Sequence, residues 1–348
     1  MFIMGEGNTM KQRNLWLLVC LFYAIVILQS ALGFTQETRI PRFVLGPPGN
    51  TELSAYRQMI EQPEQWEKLR PHVGALLFTA NGLNKQYPDD DELKAAMQKL
   101  RQLNMPIELE VGALKEWAKT GKATYHAQTR EWDRILRCGG NVISFAMDEP
   151  FINSREIMKI SRENNHDMEF AAEETAVFME LVRKNHPDIL IGDIEGFPYF
   201  SADEMIQWID LLQSKLKTRG VRGLDFFRVD TNWPNFVVAN TNETWRGLKK
   251  IENHCCSIDL PFSVIYWAAD YGNPRFEGYY DDRTWYVGIM RMAYDYNIWN
   301  EGRPDQLVIE SWVGGPVKTL PESDPFTFTG SALDFAERFL KKPGSDKE

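Results

Sequence analysis

The chain has 348 residues and a formal net charge of -10, from 39 Lys and Arg against 49 Asp and Glu. Hydrophobic residues make up 43% and charged residues 25%, which is typical of a globular protein and excludes a disordered chain, a collagen-like fibre and a polytopic membrane protein. The acidic balance argues against nucleic acid as a partner, because a phosphate backbone requires a basic surface. The 11 Trp, 12 Tyr and 20 Phe are a heavy aromatic load, which either fills a core or lines a carbohydrate-binding cleft.

The first predicted element is an export segment. Two basic residues precede an apolar run at 15–28, and the small residues Ala31 and Gly33 follow it. This order is typical of a secretory signal cleaved between Gly33 and Phe34, and a run extended to Phe34 also fits an uncleaved anchor in the membrane. We therefore expect residues 1–33 to be a signal peptide or membrane anchor. Residues 34–348 are then an exported domain, secreted or held in the periplasm or cell envelope.

Beyond residue 40, short β-rich runs alternate with segments of helical periodicity. Strands are predicted at 42–45, 74–79, 107–111, 142–147, 189–194, 224–229, 262–267 and 307–309. Helices are predicted at 52–69, 92–103, 130–137, 169–185, 201–217, 243–255, 283–296 and 332–340. Eight strands alternating with eight helices predict an α/β protein, a (β/α)8 TIM barrel in a single domain. A doubly wound open sheet is the alternative, but no strand is followed by a Gly-x-Gly-x-x-Gly or Walker loop, and no nucleotide cofactor is expected.

Acidic and aromatic residues follow the later strands of the predicted barrel. The active site of such a barrel lies at the carboxyl ends of its strands, so these residues are the candidates for function. They are Asp148 and Glu149 after the fourth strand, Glu195 on the fifth, Asp230, Asn232 and Trp233 after the sixth, Trp267 and Asp270 after the seventh, and Glu310 and Trp312 at the eighth. Glu108 and Glu110 alternate along the third strand in a way that allows both to line the barrel.

These residue types indicate carboxylate chemistry. The five histidines lie mostly in helices or at strand starts, which excludes a His-x-His metal centre, and no Ser or Cys lies in a nucleophile elbow. We therefore expect no cofactor and no metal. Glycoside hydrolysis needs two carboxyl groups that flank the bond, one of them protonated to donate to the leaving oxygen. Tryptophans beside them stack on the apolar faces of sugar rings, so a carbohydrate is the predicted substrate.

Two segments resemble a known superfamily. The run 143–150, which ends in Asp148-Glu149-Pro150, is similar to the fourth strand of the retaining β-glycosidases with TIM-barrel folds, where Asn-Glu-Pro ends the strand and the Glu is the acid/base. The run 307–312, Leu-Val-Ile-Glu-Ser-Trp, resembles the strand that carries the nucleophilic Glu in that superfamily. The resemblance implies that Glu149 is the acid/base and Glu310 the nucleophile, and that the protein is a glycoside hydrolase.

The sequence departs from that superfamily at two points. Asp148 stands where the superfamily has the Asn that binds the sugar, and Glu310 ends the eighth predicted strand, whereas the superfamily's nucleophile ends the seventh. Either one predicted strand is in excess or the catalytic pair is different, in which case Glu195 and Asp230 are the next candidates for the second carboxyl. For Glu310 the structural alternative is an ion pair with Arg228 inside the barrel.

Three functions remain open at this point. The leading hypothesis is an exported glycoside hydrolase that cleaves a polysaccharide or oligosaccharide. The first alternative is a catalytically inactive, polysaccharide-binding barrel of the cell envelope. The second is a barrel enzyme that binds a divalent metal with carboxylates alone, at the ends of the fourth, fifth and sixth strands.

Overall fold

The computed structural model describes residues 40–48, 55–115, 117–154, 168–238, 243–269, 281–312 and 315–340. The predicted signal or anchor segment and Asp270 lie outside these residues. In the part that is described, no helix is both long enough and apolar enough to span a membrane.

Eight parallel strands form a closed barrel in chain order, so the predicted (β/α)8 fold is confirmed. The barrel closes between the first and last strands, where Val44 pairs with Val308. The strands are β1 (Phe43–Gly46), β2 (Ala75–Thr79), β3 (Ile107–Val111), β4 (Val142–Asp148), β5 (Leu190–Phe197), β6 (Phe226–Thr231), β7 (Phe262–Tyr266) and β8 (Gln306–Glu310). Glu310 therefore ends the eighth strand, as counted from the sequence, and no predicted strand is in excess.

Helices surround the barrel between successive strands. They are α1 (Ala55–Glu61), α2 (Ala80–Gln86), α3 (Asp90–Gln102), α4 (Gly121–Arg137), α5 (Met168–Asn185), α6 (Ala202–Thr218), α7 (Asn235–Val238), α8 (Trp245–Ser257), α9 (Asp282–Ala293) and α10 (Phe328–Phe339). The helix α6 begins with the predicted capping box, in which Ser201 accepts from the backbone of Glu204 and the Glu204 side chain accepts from the backbone of Ser201. A π-helical turn, Tyr294–Trp299, extends α9.

The prediction of a single helix over 52–69 is wrong. The helix α1 ends at Glu61, and short 3-10 turns, Pro63–Trp66 and Arg70–His72, follow it. Pro63 causes the break, because a proline has no N–H for the helical hydrogen bond and disfavours helical geometry in the residue before it.

Many of the aromatic side chains lie in the core. Trp66, Trp132, Trp208 and Trp285 are completely buried. Their large side chains fill the core and account for part of the tryptophan content without any role in ligand binding.

The lower interior of the barrel contains a buried polar layer. The Arg228 guanidinium forms an ion pair with Glu108 at 2.6 Å, and neither side chain is exposed. Arg228 also donates to Ser263 at 3.2 Å and to Gln306 at 2.6 Å, and Ser144 donates to Glu108 at 2.8 Å. The sequence left open an ion pair between Arg228 and Glu310. In the structure, Arg228 pairs with Glu108 instead.

Candidate active site

A cavity of about 410 Å3 opens at the carboxyl ends of the strands, and all eight strands or the loops after them contribute to its lining. This volume lies in the range of roughly 300–1,000 Å3 that is common for small-molecule sites. Its polar and aromatic lining includes Tyr56, Thr79, Glu110, Asp148, Glu149, Tyr199, Asp230, Asn232, Trp267, Glu310, Ser311 and Trp312. Seven of the predicted site residues are in this set: Asp148, Glu149, Asp230, Asn232, Trp267, Glu310 and Trp312.

Alternation along the strands explains which acids reach the cavity. On β3, Glu108 binds Arg228 inside the barrel, so Glu110, two residues further on, also faces inward and lines the cavity. On β5, Ile194 lines the cavity, so Glu195 must point to the opposite face of its strand.

Glu195, predicted to bind substrate, serves the backbone instead. It is completely buried and accepts hydrogen bonds from the backbone N–H groups of Phe151 at 2.6 Å and Ile152 at 3.2 Å. These donors belong to the helical turn that follows Glu149. Glu195 therefore supports the segment carrying a predicted catalytic residue but is not among the residues that line the cavity.

Trp233 also departs from its predicted role. Its side chain is buried, with 8% exposed, and its ring contacts the guanidinium of Arg291 at 4.9 Å. Trp233 is not part of the cavity lining. Its neighbour Asn232 does line the cavity, and its backbone N–H donates to the carbonyl of Phe197 at 2.8 Å.

Glu149 occupies an unusual backbone conformation directly after β4. Its φ is +50°, in the left-handed region that side chains with a Cβ rarely adopt. The Glu149 N–H donates to the carbonyl of Ile194 at 2.9 Å, and the Asn153 side chain donates to the carbonyl of Glu149 at 2.7 Å. These bonds and the contact of Glu195 with the following turn fix the direction of the Glu149 side chain.

The surroundings of Glu149 favour its protonated form. Burial raises the pKa of the Glu149 carboxyl to about 8, and the negative charges of Asp148 and Asp230 add to the increase. The positive charge of Lys115 opposes it. At neutral pH this carboxyl therefore holds a proton that it can donate.

Asp230 faces the same cavity from the end of β6. Burial raises its pKa to about 7, while the indole N–H groups of Trp267 and Trp312 favour the ionised form and limit the increase. The charge of Asp148 raises the pKa as well. Asp230 thus ionises at a lower pH than Glu149.

Glu110 on β3 and Glu310 on β8 are two acids that both line the cavity. Burial and the charge of Asp148 raise the pKa of Glu110 to about 7. Burial, the charge of Glu110 and the charge of Asp230 raise the pKa of Glu310 well above its ordinary value. The negative charge of one of these acids disfavours ionisation of the other.

Lys115 forms an ion pair with Asp148 at the edge of the cavity. It lies in the loop after β3, where no motif or periodicity in the sequence marks it as part of the site. Its ammonium holds the carboxyl that stands where the resembled superfamily has an Asn. Lys115 and Glu110 are the charged residues of this site that were not predicted, and Tyr56, Thr79, Tyr199 and Ser311 of the lining were not predicted either.

Two tryptophans form one wall of the cavity. The ring centroids of Trp267 and Trp312 lie 4.3 Å apart with an interplanar angle of 46°. Trp267 is buried, whereas Trp312 leaves 46% of its surface exposed. An exposed indole beside a carboxyl-lined cavity offers an apolar face on which a sugar ring can stack.

Among the described residues, no group of three His, Cys, Asp or Glu side chains is arranged to hold a metal ion. The acids of the cavity come from β3, β4, β6 and β8 and therefore surround it from different sides.

Comparison with known proteins gives a likeness of fold. No protein-family model matches the chain, and no curated protein matches it. Solved structures do match. GH10 from Paenibacillus barcinonensis is 13% identical, with 80% of this chain and 88% of that chain covered and a TM-score of 0.47. A mutant of Xylanase10C from Cellvibrio japonicus in complex with xylopentaose is 11% identical, with 79% and 59% covered and a TM-score of 0.46.

A D-psicose 3-epimerase is about as similar to this chain as these two structures are. It is 10% identical, covers 86% of this chain and 97% of that chain, and has a TM-score of 0.45. Likenesses at this level, to proteins with different activities, carry no information on the reaction. The barrel itself is established by its strand order, and any function has to be argued from the cavity.

Proposed function

We propose that the protein is a glycoside hydrolase whose active site is the cavity at the carboxyl ends of the strands. The observation that carries the proposal is the combination of Glu149 and Asp230, two carboxyls with different proton affinities, beside an indole wall. Cleavage of a glycosidic bond needs one protonated and one ionised carboxyl, and environments that separate two pKa values provide such a pair.

In the proposed reaction, Glu149 is the general acid. Its carboxyl O–H donates a proton to the glycosidic oxygen as the bond to the anomeric carbon breaks. The carboxylate of Asp230 stabilises the positive charge that develops on the sugar. A water molecule then bonds to the anomeric carbon, and the proton that it loses returns to the carboxylate of Glu149 and restores the acid. Trp312 and Trp267 hold the sugar ring by stacking.

The role of second carboxyl passes from Glu310, chosen from the sequence resemblance, to Asp230. Burial and the charges of Glu110 and Asp230 favour the protonated form of Glu310, whereas a nucleophile or a base must be ionised. The indole N–H groups beside Asp230 favour its ionised form. Glu310 also ends β8 and not β7, the strand on which the resembled superfamily carries its nucleophile.

The two roles set the expected pH dependence. Asp230 must be ionised, so activity should fall as the pH drops below about 7. Glu149 must be protonated, so activity should fall again as the pH rises above about 8. The result is a narrow, bell-shaped profile with its maximum between these values.

The test compares substrates that need an acid with substrates that do not. Glu149→Gln should lower kcat on a glycoside with a poor leaving group by about 10²–10⁴ and should spare an aryl glycoside with a good leaving group, which departs without protonation. Asp230→Asn should abolish turnover of both substrates. Glu337→Gln is the matched control, because Glu337 is an exposed acid on α10. A wild-type protein that binds sugars without cleaving any of them contradicts the proposal and supports the inactive binding barrel.

We also propose that residues 1–33 direct export, which would place the cavity where polysaccharide is available. Fractionation of expressing cells, with N-terminal sequencing of the mature chain, tests this. A protein that stays in the cytoplasm with its first residues intact contradicts it, and an uncleaved protein in the membrane fraction identifies an anchor.

A further inference from the structure

Lys115 is a charged residue that lies next to the active site but outside its cavity. Its ammonium forms an ion pair with the Asp148 carboxylate, and only 16% of the Lys115 side chain is exposed. Asp148 lines the cavity together with Glu149, the proposed acid, whereas Lys115 is not part of the lining. Lys115 can therefore affect the reaction through Asp148, without touching the substrate.

Gly112, directly after β3, leaves room for the Lys115 side chain to reach Asp148. A Cβ atom at position 112 would lie 2.7 Å from Cγ and 3.0 Å from Cε of Lys115. Carbon atoms that are not bonded approach to about 3.5 Å, so the lysine stem occupies the space that a side chain at position 112 would need. Gly112 does not have a positive φ, so an alanine there should displace the flexible lysine stem and leave the backbone unstrained.

The backbone on both sides of Lys115 is held by the helix α4. The Gln128 side chain accepts from the N–H of Gly112 at 2.9 Å and donates to the carbonyl of Gly112 at 2.6 Å. After the lysine, the N–H of Ala118 donates to the carbonyl of Lys115 at 3.0 Å, and the Thr124 hydroxyl donates to the carbonyl of Ala118 at 2.6 Å. Gln128 and Thr124 both belong to α4, so the lysine side chain starts from a fixed position.

We propose that Lys115 is a positioning residue of this active site: its ammonium holds the Asp148 carboxylate in place and balances the charge of that carboxylate beside Glu149. The inference rests on the proposed function for the role of Glu149 as the acid and goes beyond it for Lys115. Asp148 stands where the resembled superfamily has a neutral Asn, so the lysine offsets a negative charge that this sequence places directly before its acid.

The groups around Glu149 determine the direction of the change that follows when Lys115 is removed. Charged or titratable side chains from four strands and from the loop after β3 act on this carboxyl: Glu110, Asp148, Glu195, Asp230 and Lys115. Burial is the main cause that raises the pKa of Glu149 to about 8, and the ammonium of Lys115 lowers it. Without the ammonium, the charge of Asp148 is no longer balanced, so Glu149 should lose its proton at a higher pH.

The test follows the ionisation of Glu149 by 13C NMR of the purified protein with labelled glutamate, and Glu149→Gln identifies the signal. Lys115→Met should raise the midpoint of this titration by about 0.5 pH unit or more and move the alkaline limb of the kcat/KM profile with it. KM should change by less than about threefold, because Lys115 does not line the cavity. Lys115→Arg keeps the charge and should cancel at least half of the rise. Lys119→Met, at an exposed lysine in the same loop, is the matched control.

A second variant tests the path of the lysine side chain over Gly112. Gly112→Ala should displace the lysine stem and raise the midpoint of the Glu149 titration, as Lys115→Met does. Added to Lys115→Met, it should shift the midpoint by less than about 0.2 pH unit further, because both substitutions act through one ion pair. If Gly112→Ala does not fold, Lys115→Met and Lys115→Arg decide alone.

The outcomes separate this inference from the proposed function. A rise of less than about 0.5 pH unit with Lys115→Met overturns the inference, and so does a rise with Lys115→Arg that is more than half as large. A larger additional shift from Gly112→Ala in the absence of the lysine also overturns it. Cleavage of glycosides without the expected rise keeps the proposed function alone. The expected rise in a protein that cleaves no glycoside keeps the placement of Lys115 and contradicts the hydrolase.

Discussion

Replacing Glu149 by glutamine should make the protein more stable, and the gain should depend on pH. The pKa of the Glu149 carboxyl rises from 4.5 to about 8 on folding, chiefly through burial. The folded state therefore binds this proton more tightly than the unfolded state does. Below about pH 4.5 Glu149 is protonated in both the folded and the unfolded state, so the wild type keeps its full stability relative to the variant. As the pH rises to about 8, the unfolded state ionises first and the wild type loses this stability. Glutamine is neutral throughout and avoids the loss.

The magnitude follows from the size of that rise. A difference of about 3.5 pH units corresponds to about 5 kcal/mol at 1.36 kcal/mol per unit. The charges of Asp148 and Asp230 contribute part of the rise, and Asp230 readjusts its own protonation when Glu149 is replaced, so we expect about 2–3 kcal/mol to be measured. Glu149→Gln should exceed the wild type by only about 0.8 kcal/mol at pH 5 and by about 2–3 kcal/mol at pH 8.5.

Urea unfolding followed by tryptophan fluorescence at both pH values provides the measurement. Glu337→Gln, an exposed substitution on α10, should change stability by less than about 0.5 kcal/mol at either pH. A Glu149→Gln advantage that is the same at pH 5 and pH 8.5 would refute the reasoning, because it would show that the gain does not come from the buried charge. So would a variant that is less stable than the wild type at pH 8.5.

Three further outcomes are expected. Arg228→Met should lower the free energy of unfolding by about 3–5 kcal/mol, because it leaves Glu108 buried and unpaired. Adding Glu108→Gln should restore part of this loss in thermal unfolding. A double variant that is no more stable than the single variant contradicts this reasoning. Glu195→Ala should cost about 2–4 kcal/mol through two unsatisfied backbone donors, whereas Glu195→Gln keeps an acceptor and should cost less than half as much in urea unfolding. Trp312→Ala should weaken sugar binding and change the free energy of unfolding by less than about 1 kcal/mol, because Trp312 is half exposed. Trp267→Ala should lower the free energy of unfolding by about 3–5 kcal/mol, because Trp267 is buried. Equal losses for the two variants in thermal unfolding would contradict the assigned packing.

The barrel was predictable because its signal repeats. Each strand is a short apolar run bounded by turns, each helix has its own periodicity, and eight such units leave few alternative folds. The sequence did not show which face of its strand each individual side chain occupies. Asp193 and Glu195 have the spacing of inward-facing acids, but the strand presents Ile194 to the cavity, so both acids face the helices. A shift by one residue reverses every side chain of a strand, and composition does not reveal it.

The residues of the candidate site also differ in whether the sequence could identify them. The acids directly after β4, β6 and β8 were found because a strand end is a fixed place in this fold. Glu110 was noted as a barrel-lining residue but not selected, because nothing in the sequence shows that Glu310 lies opposite it. Lys115 was missed because a loop residue has no periodicity to mark it, and its ion pair with Asp148 depends on a path that only the folded chain defines.

The backbone of Glu149 has a consequence for how this position can change over time. A residue with a Cβ at φ +50° costs about 1 kcal/mol or more relative to glycine, and the burial of its carboxyl adds to that cost. Random substitution filtered only for a folded barrel would therefore drift toward glycine here, with asparagine as the next accessible choice. A library sorted for expression and a library sorted for turnover should diverge first at codon 149, which makes this position a marker of whether a related barrel still performs chemistry or survives as a scaffold.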